Sequence, residues 1–427
     1  MKISTSAWAR IEVVVFALLV LSRLWIAFGW GPYISDLLIY HHSAIQGLEV
    51  GRFAYRDYFF PYPPAALLFT SPPAWGDPSF ESYRVAYHVL FLAVDGLILW
   101  LMARVARLDL GLAARGRAVA WGLYAAFGLL QGHLLYDRLD LLMALGALLS
   151  VEAFRAGRGK LRLFTWNFFF LVKLLPLFWA PWSVAFDEPG PKGSRLPAVF
   201  ERAAKVVLAF VPSVVILLFF VLLSGGALVS SLGDHGERSI QIEATWASLL
   251  FLPKLFGAPG VEIIHKWGAL HIAPHSIPGV VDFLSRWLGW IALGAAFAWL
   301  HLKGFRRLES MPARERAELH AKGILLILLW LVTGQRVFSP QFLLWIAPLL
   351  ALFVARRRSL WLASFALLAY GTTYWGFDLR YAQFINGDLF TTGIFVVRNL
   401  AVALMTLWFA RDVARSFAPV ARKGDAS

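Results

Sequence analysis

Asp36 stands about a turn beyond the first long apolar run, at the head of a polar stretch reading SDLLIYHHSAIQGLEVGRFAYRDY. A carboxylate where a membrane helix meets water can serve as a base toward substrates held at the bilayer surface. Aspartate is also a favoured helix N-cap, so capping of the following segment, catalysis, or both are open readings. Lys173 lies within the apolar run LRLFTWNFFFLVKLLPLFWAPW. An ammonium there is costly in lipid and is expected to face a cavity, or an acid such as Asp140. Arg336 in GQRVFSPQFLLW, which also carries Gln341, and Arg238 in GERSIQIEATW add cations able to hold a phosphate. A guanidinium does so through two parallel hydrogen bonds. The plainer readings are a hairpin turn at Arg336 and solvation at Arg238.

Gly132, His133, Tyr136, Asp137, Arg138 and Asp140 form a polar knot denser than a plain hairpin needs, although Asp137 and Arg138 could pair with each other. Asp95 and Arg23, deep in apolar runs, read as members of an intramembrane charge pair, with Arg398 as a further candidate. Other chemistries find little footing. There is no glycine-rich phosphate loop and no HExxH. Cysteine is absent, which excludes disulfides, thiolate metal sites and a cysteine nucleophile. His41 and His42 are adjacent and diverge by about 100° on a helix. The spacing of His271 and His275 is interrupted by Pro274, so zinc is not expected and no metal ligands are assigned. A divalent cation held by Asp36 with Asp57 or Asp137 stays open.

These residues must be positioned by membrane helices. The 427-residue chain is 59% hydrophobic and 15% charged, with a mean hydropathy of +0.64. It reads as one polytopic, all-α membrane domain over 1–427. The run Ile11–Trp30 follows Lys2 and Arg10 and is long enough to cross ~30 Å of hydrocarbon; no small-residue cleavage site follows, so it reads as a retained first helix. The net charge of +14 falls in clusters between apolar runs: Arg104, Arg107, Arg115 and Arg117; Arg155, Arg158, Lys160 and Arg162; Lys303, Arg306 and Arg307; Arg356, Arg357 and Arg358; Arg411, Arg415, Arg422 and Lys423. That is the positive-inside pattern, and it suits membrane lipids rather than nucleic acid.

Spans are expected near 11–30, 83–104, 117–131, 138–155, 204–224, 284–303, 322–336, 341–355, 359–376 and 390–410. The region 162–186 is read as two half-helices broken near Lys173 and Pro176, because a single crossing there would place Lys192, Arg195, Arg202 and Lys205 outside. That makes about twelve membrane segments, with a cytoplasmic tail over 411–427. The long loops 31–82 and 225–283 then lie outside, with the turns 131–138 and 377–389. Asp36–Val50 and ATWASLLFLPKLFG read as interfacial helices, and PYPPAALLFTSPPAW as a piece too short to span.

An enzyme working on that face has no nucleotide sugars at hand, but lipid-linked donors are accessible. Glycosyl transfer from such a donor needs a base for the acceptor hydroxyl and cations for the departing phosphate. The ordered strings SDLLIYHHSAIQGLEVGRFAYRDY, PYPPAALLF, GHLLYDRLDLL, VKLLPLFWAPW, RSIQIEATWASLL and RVFSPQFLLWIAPLL cover most of the chain from Ile11 to Leu350. In this order the chain resembles the polyprenol-phosphate-sugar-dependent glycosyltransferases of the integral-membrane GT-C class, and most of all glycosyltransferase family 87, the mannosyltransferase type. The resemblance implies a GT-C-like fold, Asp36 as general base, inversion at the sugar, a polyprenyl-phosphate hexose donor and a lipid or glycan acceptor. Lys173, Arg238, Arg336 and Gln341 would contact the donor phosphate, with His133 and Tyr62 as further substrate contacts. The YDRLD turn departs from the mannoside enzymes, which leaves the sugar and acceptor open. A multi-pass transporter or lipid flippase is the competing reading, although no half-to-half similarity is visible. A membrane scaffold would leave Lys173 and the polar knot without a purpose.

Overall fold

Apolar runs punctuated by proline, glycine and clustered arginine dictate helices of very different lengths, and the computed structural model shows them. It describes residues 4–30, 36–186, 195–258, 260–266, 268–299, 308 and 310–417. The principal helices are α1 (Thr5–Leu24), α2 (Leu37–Leu48), α3 (Phe80–Arg104), α4 (Ala114–Gln131), α5 (Leu141–Arg155), α6 (Gly159–Val172), α7 (Pro176–Ala185) and α8 (Arg195–Ala209). They continue with α9 (Val211–Leu223), α10 (Ala227–Glu237), α11 (Thr245–Phe251), α12 (Gly279–Trp299), α13 (Ala313–Gly334), α14 (Leu343–Arg357), α15 (Leu360–Thr373) and α16 (Leu389–Ser416). One antiparallel hairpin, β1 (Ile263–Lys266) and β2 (Ala269–Ile272), interrupts them, with Ile263 opposite Ile272.

The chain is an all-α polytopic membrane protein, but it falls short of the expected count of about twelve membrane segments. Seven helices among the described residues are long and apolar enough to cross a bilayer, and an eighth span arises if α8 and α9, bent by 43°, count as one. The shortfall lies in α5, α6, α7 and α15. At 1.5 Å per residue the 15-residue α5 reaches only about 22 Å, and α6 and α7 are shorter still; α15 runs on without a break through Tyr374–Leu379, a stretch too polar to lengthen the apolar run. α6 and α7 are the expected half-helices; α5 is apolar enough to have been counted as a span but too short to be one.

The α6–α7 pair forms the broken hairpin that the basic loops demand. Its register against α5 is written in side-chain contacts. Lys173, at the break, bonds Asp140 at the N-terminal end of α5; the Phe169 ring lies on Gly146; Trp179 Nε1 donates to Ser150 Oγ at 3.2 Å; Phe186 meets Phe154 at the far end. So α6 runs antiparallel to α5 and α7 returns alongside it. Proline at the first position of α7 has no N–H to lose there, which makes the restart inexpensive. α5 is apolar all round and buried nearly along its whole length, as is α14. These two form the centre of the bundle. In lipid their association rests on close packing more than on water exclusion. Gly146 permits it, because a Cβ there would sit 2.8 Å from the Phe169 ring.

The charged loops gather at one end. Arg117 bonds Glu12, Arg104 and Arg155 bond Glu152, Arg314 donates to the Asp109 carbonyl and Arg316 to that of Phe186. Arg356 meets Glu318, while Arg357 and Lys322 share Asp412. Lys192, Lys303, Arg306, Arg307, Arg422 and Lys423 lie outside the described residues, as does the side chain of Arg195. The opposite end carries α2, the proline-rich turns of 64–74, α11 and the hairpin. The first of these is a helix as expected, with Leu37, Tyr40, Ser43 and Ala44 facing inward and Leu38, Ile39 and Leu48 outward. The proline-rich piece is broken into three short turns, none able to span.

Candidate functional site

The turn between α4 and α5 organises the end opposite the basic loops. Gly132, at φ +56°, turns the chain out of α4, where a Cβ would press to 3.0 Å from the Trp30 ring. Each polar side chain that follows reaches a different element. His133 Nδ1 lies 3.4 Å from Asp378, beyond α15. Tyr136 donates to Asp95 at 2.9 Å; Asp95 also accepts from Tyr124 at 2.6 Å and from Arg23 at 2.8 Å. Asp137 accepts at 2.8 Å from His88, whose other ring nitrogen meets the Ala27 carbonyl. Arg138 bonds Asp36, and Asp140 accepts from Lys173 Nζ and Trp345 Nε1, both at 2.6 Å. The knot is a hub joining α1, α2, α3, the α6–α7 break and α14. Asp137 and Arg138 pair outward, to His88 and Asp36, where the sequence suggested a mutual pair. Asp95 and Arg23 are the expected intramembrane pair, and Arg398 belongs elsewhere.

Asp36 occupies the N-cap position of α2, but its side chain accepts no hydrogen bond from the helix. The capping reading therefore fails. Its carboxylate is about one quarter exposed and directed to Arg138, two residues from Asp140. Tyr40, one turn on, donates to Tyr62 Oη at 3.1 Å. Burial pushes the Tyr62 hydroxyl pKa up, Asp140 adds to that, and the bond from Tyr40 and the charge of Arg238 oppose it. Asp36, Arg138, Asp140, Lys173, Tyr40, Tyr62 and Arg238 therefore border one region. Lys173 Nζ sits 4.7 Å over the Phe342 ring and 4.8 Å over Trp345, flanking Gln341 in the turn that opens α14. Asp140 Oδ2 is buried with no hydrogen-bond partner among the described residues.

Helix polarity adds to the field. α5 begins at Leu141, α7 at Pro176 and α14 at Leu343, each immediately beside Asp140, Lys173 or Trp345. Three helix starts lie near the Lys173–Asp140 pair, and the buried Asp140 carboxylate is the anion their positive ends stabilise.

Arg336 is held by Asp282 at 2.8 Å, and its carbonyl accepts from Gln241 N at 2.9 Å. Gln241 in turn reaches Ser339 Oγ at 3.1 Å. Burial depresses the His271 pKa to about 4, and Arg238 and Arg336 are both close enough to lower it further, so they border the region from the hairpin side. A separate buried node lies behind: Tyr381 donates to Glu243, and Arg398 and Asn399 bond the Glu243 carbonyl. Burial raises the Glu243 pKa against the hydrogen bond from Tyr381. No string in the sequence announced that node, or the β-hairpin. Arg138, His88, Tyr40 and Trp345 are the site neighbours that sequence left unassigned; only the density of polar residues over 132–140 hinted at a hub.

Among the described residues no three His, Cys, Asp or Glu side chains converge in a way that would hold a metal ion. The carboxylates considered with Asp36 point elsewhere, Asp137 to His88 and Asp57 to Arg56. No protein-family model matches the chain, and no curated protein matches it.

Proposed function

We propose that the protein is an integral-membrane glycosyltransferase of GT-C type, transferring a hexose from a polyprenyl-phosphate donor to a lipid or glycan hydroxyl. The observation that carries this reading is the convergence of Lys173 and three helix N-termini within two residues of Arg138, the partner of Asp36. A phosphate would meet the positive ends of helix dipoles and the Lys173 ammonium, which Asp140 holds in place, with the Asp36 carboxylate nearby. On this reading Asp36, oriented by Arg138, takes the proton of the acceptor hydroxyl. The oxygen then attacks the anomeric carbon with inversion, and the bond to the phosphate oxygen breaks. The polyprenyl phosphate leaves with its charge held by Lys173 and Arg238. The basic end lies in the cytoplasm by the positive-inside rule, which puts the reacting end outside or in the periplasm of the cytoplasmic membrane. The family 87 resemblance makes mannose the first donor sugar to test.

Purified protein supplied with radiolabelled polyprenyl-phosphate mannose and lipid acceptors is expected to form product. Asp36→Asn should lower the rate by roughly 10²–10⁴-fold, the usual weight of a general base. Undiminished transfer by that variant rules out Asp36 as the base. A re-entrant pair of half-helices with a lysine at its tip also suits a transporter. Movement of the intact glycolipid across proteoliposomes, with no new glycosidic bond, would favour that alternative.

A further inference from the structure

The loop after α2 doubles back on itself beside the N-terminal turns of α10 and borders an open cavity of about 320 Å³. Its wall is built from Tyr55, Arg56, Asp57, Tyr58, Phe59 and the exposed Ser230. The loop is firmly braced. Tyr55 N–H donates to the Tyr58 carbonyl at 2.9 Å, Phe53 N–H donates to Asp57 Oδ2 at 2.7 Å, and Ser231 Oγ donates to the Phe60 carbonyl at 2.9 Å. Tyr55 is held at φ +70°, in the left-handed region that tyrosine seldom adopts, and its ring is buried against Phe60 and Phe220. Tyr55 Oη donates to the Tyr62 carbonyl at 2.6 Å, so the cavity wall is joined directly to the residue that Tyr40 binds beside Asp36.

We propose that this cavity is the subsite for the sugar portion of the acceptor, a neutral mono- or oligosaccharide. The proposal rests on the glycosyltransferase reading above. Three features select a polyol over an anion or an apolar tail. Arg56 and Asp57 are paired through two bonds of 2.9 and 2.8 Å, so the wall carries no net charge from them, yet it offers both donors and acceptors to neighbouring hydroxyls. Asp57 stays ionised because the Arg56 hydrogen bonds, and then the Phe53 N–H, hold its pKa near about 2. Phe59 exposes 62% of its surface, an apolar plate for the C–H face of a pyranose ring. The volume lies at the lower end of the ~300–1,000 Å³ typical of small-molecule sites, suiting one or two sugar rings. The bonds from Tyr55 to Tyr62 and from Tyr40 to Tyr62 tie the wall of the subsite to the helix that Asp36 precedes.

Saturation-transfer NMR on the full chain in nanodiscs, with methyl α-mannobioside and methyl β-maltoside as probes and inorganic phosphate as a competitor, tests this. At least one disaccharide should take up saturation. Phe59→Ala and Ser230→Trp should each weaken it tenfold or more, and phosphate should not compete. Ser230→Trp fills the cavity from an exposed helix position and leaves the loop bonds intact, so it keeps the test meaningful if a loop variant misfolds. The proposal is overturned if neither sugar binds, if both variants bind unchanged, or if phosphate displaces the sugar. Sugar binding at the cavity without any transfer activity would retire the enzyme reading and leave a carbohydrate site. Transfer with an acceptor KM unmoved by Ser230→Trp would do the reverse.

Discussion

The ion pair at the tip of the α6–α7 hairpin permits a quantitative test. Asp140 is almost fully buried, Lys173 is about one fifth exposed, and their charged atoms are 2.6 Å apart. At an effective dielectric of 20 their attraction is ~6 kcal/mol, of which desolvation of the two groups removes a large part. The two halves should not fail equally. Asp140→Asn leaves the Lys173 cation over two aromatic faces, at 4.7 and 4.8 Å, and keeps an acceptor for Trp345. Cation–π contacts recover about 0.5–2 kcal/mol, so this variant should cost ~2–3 kcal/mol. Lys173→Met leaves a buried carboxylate with one indole N–H for company and should cost ~3–5 kcal/mol. The double variant, having no stranded charge, should cost no more than the worse single, giving a coupling of ~2–3 kcal/mol. Equilibrium unfolding in mixed micelles, followed by tryptophan fluorescence, measures all four forms. Additive singles, with a coupling below about 0.5 kcal/mol, would mean that the pair does not fix the hairpin tip.

Three further outcomes follow from the same contacts. Gly323→Ala would drive a Cβ to 1.9 Å from the Trp182 ring, whose indole already donates to the His320 carbonyl, so a loss of at least 1–3 kcal/mol is expected in the same unfolding assay. His271 has its folded pKa depressed to about 4 by burial, against about 6.5 when unfolded. The unfolded segment then binds the proton first, so stability falls as pH drops from 6.5 toward 4, by roughly 3 kcal/mol over that window, and is flat above it. The protection factor of the Ile272 amide, the intrinsic exchange rate at each pH divided by the observed rate, should fall over that window in the parent chain but not in His271→Asn. Because the chain has no cysteine, Glu81→Cys and Lys160→Cys can each be labelled alone. An impermeant maleimide should reach Glu81→Cys in intact spheroplasts and Lys160→Cys only after permeabilisation; the opposite result would turn Asp36 toward the cytoplasm.

What the sequence made legible was the cost of misplaced polarity. Arg23, Asp95 and Lys173 are each too expensive to leave in lipid, so a partner could be expected, and for Lys173 the partner could be named as Asp140. The broken hairpin followed from the same reasoning applied to loops: proline and lysine in the run, and basic clusters that had to share one side. Span counting went wrong because hydropathy measures what a helix is made of and says little of whether it touches lipid. α5 is as apolar as α14, but it is 15 residues long and wrapped by other helices, and a wrapped helix need not be long enough to cross; α14 with its opening turn is. The site was half legible for a related reason. Local density flagged residues 132–140, but which residue each side chain reaches depends on how helices far apart in the chain pack, and Asp36–Arg138 and His88–Asp137 leave no mark on local spacing. Asp36 shows the difference most plainly. Next to a helix start a carboxylate is expected to cap, yet a guanidinium delivered by a distant turn captures it, because a charged partner outcompetes the backbone N–H groups it would otherwise serve.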